Sequence, residues 1–224
     1  MQRLPDHVFA GLAAHDTPTV FNAMVTRFGL PNEEYTDHTI RCLLPELGSV
    51  IGYAATVEVT TNDPDPPAAS WRDHYRHLEE AAGPHVVVMR DVDSRPGRGA
   101  SFGDVMAVMH KRLGVAGVVV DGTIRDLDGI RDVGLPLFAW GVVPGHGLFC
   151  PVRVGAPVTV GQLCIRSGDL VMADSNGCLR VPLDRAEETL AAVQSVIDLE
   201  DGKRRFAESG EFTAAEAARR FGWT

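Results

Sequence analysis

The chain has 224 residues, 45% of them hydrophobic and 23% charged, with a formal net charge of −9. This ordinary globular composition permits a sizeable core, and the acidic balance argues against a broad basic footprint for nucleic acid. The stretch Met1–Val20 holds no apolar run of signal-peptide length, and no later segment has the roughly 18 consecutive apolar residues of a membrane span, so no membrane partner is expected. Cys42, Cys150, Cys164 and Cys178 form no CxxC pair and sit in mainly apolar stretches. Reduced thiols, and hence a cytoplasmic location, are the expectation.

In chain order, residues 6–29 read as helix with a break at Asp16–Thr19, where Pro18 suits a first turn. "HTIRCLLP" and "SVIGYAATVEVTT" are strand-like, rich in β-branched residues. "NDPDPPAAS" is a loop, and "WRDHYRHLEEAAG" a polar helix ending at Gly83. From residue 85 to 143 the pattern is β-α-β-α-β: "HVVVMRDV", a helix from Gly103–Asp104 to Gly114, "AGVVVDGT", a short helix closed by Gly134, and "LPLFAWGVVP". Continuous apolar runs of this kind mark buried, mainly parallel strands. Asp121 before Gly122 reads as a turn former. After residue 150, short strands alternate with Gly, Pro and Asn-Gly in hairpin fashion, with Asp174 as a turn residue. A long helix over 183–209 and a final one opened by a Thr213…Glu216 capping box complete the chain. Neither a linker nor a repeat is evident. The expectation is one α/β domain over 1–224 with a β-rich second half and a helical extension from about 199.

Ligands of parallel α/β sheets bind beyond the strands' carboxyl ends. Asp104 opens a helix there, and Arg125–Asp126 follows the next strand, so the two segments can meet at one edge. The N–H groups of Val105 and Met106 lie in a first helical turn and can receive an anion. A guanidinium grips a carboxylate bidentately, and a carboxylate with water ligands suits Mg²⁺ or Mn²⁺. Such a site would take a small 2-oxo acid and a hard metal.

Asp104, twenty intervening residues and then Arg125–Asp126 resemble the D-x20-R-D motif of the class II pyruvate aldolases of the 4-hydroxy-4-methyl-2-oxoglutarate type, whose superfamily includes the RraA-like regulators of ribonuclease activity. "GVVVDGTIRD", "LPLFAWGVVP" and "SGDLVMADSNGCLRVP" resemble the family's flanking segments, and the likeness covers roughly residues 10–200. "SGD" at Ser167–Asp169 and "FNA" at Phe21–Ala23 depart from it.

The resemblance implies a three-layer β/β/α fold, like a swivelling phosphohistidine domain, in homotrimers or hexamers. It implies Asp126 as ligand of the divalent metal, Arg125 as carboxylate binder and enolate stabiliser, and Gly103, Asp104, Val105 and Met106 as the pyruvate cradle, Asp104 orienting it. It further implies aldol cleavage or oxaloacetate decarboxylation through a metal-stabilised pyruvate enolate. The rival is an RraA-like protein-binding regulator without catalysis. A nucleotide-binding dehydrogenase has no G-x-G-x-x-G after a strand to support it, and the two lysines, Lys111 and Lys203, give a Schiff-base route little support.

Other features have simpler readings. Arg125–Asp126 would also suit an ion pair capping the following helix. His74 and His77 share a helical face but lack a third ligand, and His110 reads as structural or exposed. His146 lies in a loop after a strand; it reads first as a loop residue, with a substrate contact as the alternative. Arg95 and Arg98 read as surface charge or as steering groups for a second carboxylate.

Overall fold

A computed structural model describes residues 3–29, 33–63, 65–66, 69–81 and 83–223. Parts of the 62–82 segment therefore lie outside the described residues. The helices are α1 (Asp6–Ala13), α2 (Thr17–Phe28), α3 (Trp71–Glu80), α4 (Asp104–Arg112), α5 (Leu127–Val133), α6 (Ala186–Glu208) and α7 (Ala214–Phe221). The strands are β1 (Arg41–Cys42), β2 (Val50–Thr60), β3 (His85–Asp91), β4 (Val115–Ile124), β5 (Leu137–Val142), β6 (Cys150–Val154), β7 (Val158–Val160), β8 (Leu163–Ile165), β9 (Leu170–Asp174) and β10 (Gly177–Val181).

Local chemistry explains most boundaries. Asp16 caps α2 by accepting from Thr19 N at 2.9 Å, and Gly29 ends it at φ 59°. Ser70 and Asp73 form a reciprocal capping box on α3. Thr213 accepts from Glu216 N, whereas the Glu216 carboxylate turns to Arg219 and Arg220. The strand expected at "HTIRCLLP" shrinks to Arg41–Cys42, because Pro45 has no N–H for a ladder and opens a 3₁₀ turn instead.

One sheet runs β1-β5-β4-β3-β2-β9-β10, with β6 also on β2. β2, β3, β4 and β5 are parallel neighbours. The β1–β5, β2–β9, β9–β10 and β2–β6 pairs are antiparallel. The architecture is thus mixed α/β, and the expected mainly parallel sheet is parallel only in its middle.

Alternation along the central strands divides the core. Val87 and Met89 of β3 pack with Leu78, Ala107 and Ile130 from α3, α4 and α5. Val86 and Val88 face the other way, onto Val158, Val160, Leu163 and Ile165 of the β7–β8 hairpin. A third cluster joins α1 and α2 to β9 and β10, with Val8, Leu12, Val20 and Met24 fully buried. Asp174 closes the β9–β10 turn through Asn176 N, as expected, and ties it to α2 by accepting from Thr17 N and Thr17 Oγ1 at 2.7 and 2.9 Å.

Candidate functional site

β3 and β4 run side by side, and the chain leaves each toward a helix on the same edge of the sheet. The segment before α4 lies along the end of β4: Ser101 N donates to Thr123 O at 2.8 Å and Arg125 N to Phe102 O at 2.9 Å. These bonds bring Gly103 against Arg125–Asp126. A Cβ on Gly103 would stand 2.9 Å from Asp126 Oδ2 and 3.4 Å from Arg125 Nε. Its backbone is extended, so glycine is needed here for close approach and not for its dihedrals. Gly129 of α5 plays the same part for Asp104, since a Cβ there would stand 2.8 Å from Asp104 Cβ.

Asp121 and Gly122, expected as a turn, lie inside β4 at a register shift between Val120 and Thr123. The bulge is stabilised beyond the apolar run, because Thr123 and Ile124 pair with Gly141 and Val142. Asp121 instead accepts from Trp140 Nε1 at 2.8 Å, and burial raises its pKa.

Asp126 sits at φ 59°, ψ 40°, a left-handed conformation that costs energy for a non-glycine residue. Its carbonyl starts α5 by accepting from Ile130 N at 3.0 Å, while its carboxylate makes no cap hydrogen bond. Asp126 Oδ2 lies 3.1 Å from Arg125 Nε, and both side chains are 38% exposed. The ion pair exists, but the carboxylate is not committed to capping the helix.

Gly103, Asp104, Val105, Met106 and Arg125 line one cleft of ≈ 180 Å³ at this edge. Asp126 flanks it through its contacts with Gly103 and Arg125. Phe102, Met106 and Phe149 give the cleft an apolar wall, and His146 stands at its rim. Asp104 Oδ1 accepts from Val105 N at 2.7 Å, so one N–H of the expected anion cradle is engaged by the preceding side chain.

Among the described residues, no three His, Cys, Asp or Glu side chains converge as a metal cluster. Asp126 nonetheless fits Mg²⁺ or Mn²⁺, which bind through one or two carboxylates and keep several waters. It is half-exposed, beside the cleft, and its carboxylate caps nothing.

The histidines of α3 diverge. His74 is fully buried, with Nε2 2.9 Å from Nε2 of the equally buried His110, whereas His77 lies 3.4 Å from Ser167 Oγ. His110 Nδ1 is 2.7 Å from Met106 O, and His74 Nδ1 has no partner among the described residues. Arg95 and Arg98 are exposed and outside the cleft lining. Sequence reasoning missed Phe149 and Gly129. A glycine three residues after the Arg-Asp pair was the only local signal for the second.

A carboxylate and a guanidinium thus stand at the edge of a mixed α/β sheet, against a helix N-terminus. The RraA-like family model (Aldolase/RraA) matches residues 17–180, and the chain belongs to that family. A relative from Halalkalibacterium halodurans, named "Putative 4-hydroxy-4-methyl-2-oxoglutarate aldolase", is 32% identical over 148 residues, 66% of each chain. The crystal structure of Streptomyces coelicolor RraAS2, described as an unusual member of the RNase ES inhibitor RraA family, superposes with a TM-score of 0.74. It is 26% identical, with 91% of this chain and 98% of that one covered. A structure described among novel cellulases of gut-associated microbes gives 0.75 at 25% identity, covering 90% and 89%.

Proposed function

We propose that the protein is a divalent-metal-dependent lyase that breaks a carbon–carbon bond of a pyruvate-derived 2-oxo acid, by aldol cleavage or decarboxylation. The observation that carries this reading is the packing of Arg125–Asp126 against Gly103 at the mouth of the cleft, where, among the described residues, the two side chains bond to each other and the Asp126 carboxylate caps no helix. Arg125 holds the substrate carboxylate and stabilises the charge that develops when the bond breaks. The first turn of α4 lends its positive end, and Asp104 fixes that turn through Val105 N. Phe102 and Phe149 exclude water from one side of the substrate. Asp126 would hold Mg²⁺ or Mn²⁺ with water completing its shell. When bound, such a metal supplies Lewis-acid polarisation of the 2-oxo acid.

Three further expectations belong to this reading. Val105, Val108 and Met109 expose an apolar face of α4, and Val142 and Leu148 are also exposed; patches of this kind support a homotrimer or hexamer. The hairpin, sheet and helices support a three-layer β/β/α description. No helix among the described residues is long and apolar enough to cross a membrane, and the free thiols Cys42, Cys150, Cys164 and Cys178 support a cytoplasmic location.

The deciding experiment measures pyruvate release from oxaloacetate and from 4-hydroxy-4-methyl-2-oxoglutarate with and without Mg²⁺. Release that chelation abolishes and Mg²⁺ or Mn²⁺ restores is expected. Release indifferent to thorough chelation would overturn the metal assignment, and none from either substrate would favour the protein-binding regulator.

A further inference from the structure

Two separate segments line the apolar side of the cleft: Phe102–Met106, which leads into α4, and Phe149, just before β6. The N-cap of α4, Gly103, has no side chain with which to cap it. The first turn is held instead by Asp104 on Val105 N and by His110 Nδ1, 2.7 Å from Met106 O.

Behind the lining, buried rings connect the two segments. His110 stands edge-on to Phe102, with centroids 5.1 Å apart, and its Nε2 lies 2.9 Å from Nε2 of His74 on α3. His74 in turn stands edge-on to Trp71 at 5.7 Å, and Trp71 packs on Phe149 at 4.9 Å. The relay Met106–His110–His74–Trp71–Phe149 therefore runs within one chain and reaches both cleft segments, whatever a second copy adds at the exposed face of α4.

The hydrogen bonds of the relay have one direction. Met106 O can only accept, so His110 Nδ1 carries the proton. Trp71, Tyr75 and Phe102 enclose the pair, and such burial favours neutral imidazoles. His110 Nε2 is then bare and accepts from His74 Nε2–H, which leaves His74 Nδ1 bare as well. That nitrogen is the one without a partner among the described residues. The donor at His74 Nε2 thus holds His110 in the tautomer that grips Met106 O.

We infer that His74 and His110 are positioning residues: from behind the cleft they fix the first turn of α4 relative to Phe149 and so set how tightly the 2-oxo acid is held. The inference rests on the lyase reading for its ligand. Neither ring lines the cleft, so neither touches the substrate or exchanges a proton with it.

The test uses the Mg²⁺-loaded full chain and oxaloacetate. His74→Leu removes the donor, whereas His74→Gln puts an amide N–H where Nε2–H stood. His74→Leu is expected to raise KM by about tenfold with kcat within about twofold of wild type, and His74→Gln to bring KM back to within about twofold. The calorimetric affinity for pyruvate should weaken in the same order. Long-range ¹H–¹⁵N spectra of the wild-type protein should show His110 protonated on Nδ1 and His74 on Nε2, a readout independent of turnover. His110 protonated on Nε2 would overturn the inference. So would an unchanged KM in His74→Leu, or equal losses in the Leu and Gln variants, and each of these would leave the lyase reading intact. Where His74→Leu does not melt cooperatively, His74→Asn, too short to reach His110, takes its place. No pyruvate release from wild-type protein that shows the expected tautomers would overturn the lyase reading, and the positioning role with it.

Discussion

Two sets of aspartates stand near the ends of neighbouring parallel strands, and they are treated in opposite ways. Asp91 and Asp93, at and just after the end of β3, are 4% exposed and enclosed by donors. Asp93 accepts from Thr60 Oγ1, Thr61 N, Asn62 N, Asp63 N and Arg95 N, and Asp91 from Asp93 N and Gly97 N. Burial alone would raise the pKa of Asp93, but these bonds hold it down to about 2. Asp126, just beyond β4, stays 38% exposed, with a strained backbone and one arginine beside it. A carboxylate saturated by backbone N–H groups builds a loop, whereas one left with free lone pairs can take a ligand.

The sharpest way to break this contrast is at Arg125 and Asp126. Arg125→Ala and Asp126→Ala are each expected to lower lyase turnover by about 10²–10³-fold, while the melting temperature moves by no more than about 2 °C. Near wild-type turnover in either variant would place the chemistry elsewhere. Asp93→Ala should behave oppositely. It leaves several buried donors unpaired, each costing about 1–3 kcal/mol, so a loss of about 3 kcal/mol and a fall in Tm of about 6–12 °C are expected. Equal melting of the Asp93 and Asp126 variants would erase the distinction between them.

Gly129→Ala tests the second contact of the site by a smaller effect. A methyl there must displace Asp104, whose Oδ2 would lie 2.9 Å away, and with it the bond to Val105 N. An increase in KM of about tenfold is expected, with helix α5 itself intact because alanine is the better helix former. An unchanged KM would show that Asp104 does not position the substrate cradle.

Much of this edge was legible in the sequence. The apolar runs at 85–91 and 115–120, separated by a helical stretch, dictate a parallel crossover, and the crossover brings Asp104 to Arg125–Asp126. The Asp121–Gly122 turn was misplaced because local residue chemistry favours a turn there, whereas pairing with β5 carries β4 on to Ile124. Phe149, Trp71 and the His74–His110 contact could not be read, since they depend on which faces of distant elements meet. His74 and His77 show the limit plainly. Spacing set them on one helical face, yet Leu78 and His74 turn into the core and His77 toward Ser167.

The histidine contact makes the smallest prediction, and it separates the two kinds of titration. With His110 Nδ1 donating to Met106 O, His110 Nε2 is bare and accepts from His74 Nε2, so both rings are neutral. Trp71, Tyr75 and Phe102 surround them. Burial pushes His110 down to about 4 and His74 to about 3, from an ordinary 6.5; burial lowers His85 as well. Between these values and 6.5 the unfolded chain binds more protons than the folded one. Stability is therefore full above pH 6.5 and falls as the pH drops toward 4, by up to about 1.4 kcal/mol per pH unit for each histidine. The Asp93 carboxylate titrates well below this window, whereas burial raises Asp91 and Asp121 and gives them the opposite sign, so the histidine contribution is the difference between the wild-type curve and that of a variant lacking both rings. Replacing His74 and His110 together by apolar residues should flatten the curve while costing little at pH 7, because both hydrogen-bonding partners leave together. A wild-type curve that parallels the variant's from pH 7 to 5 would mean that the pair is already charged or open to water.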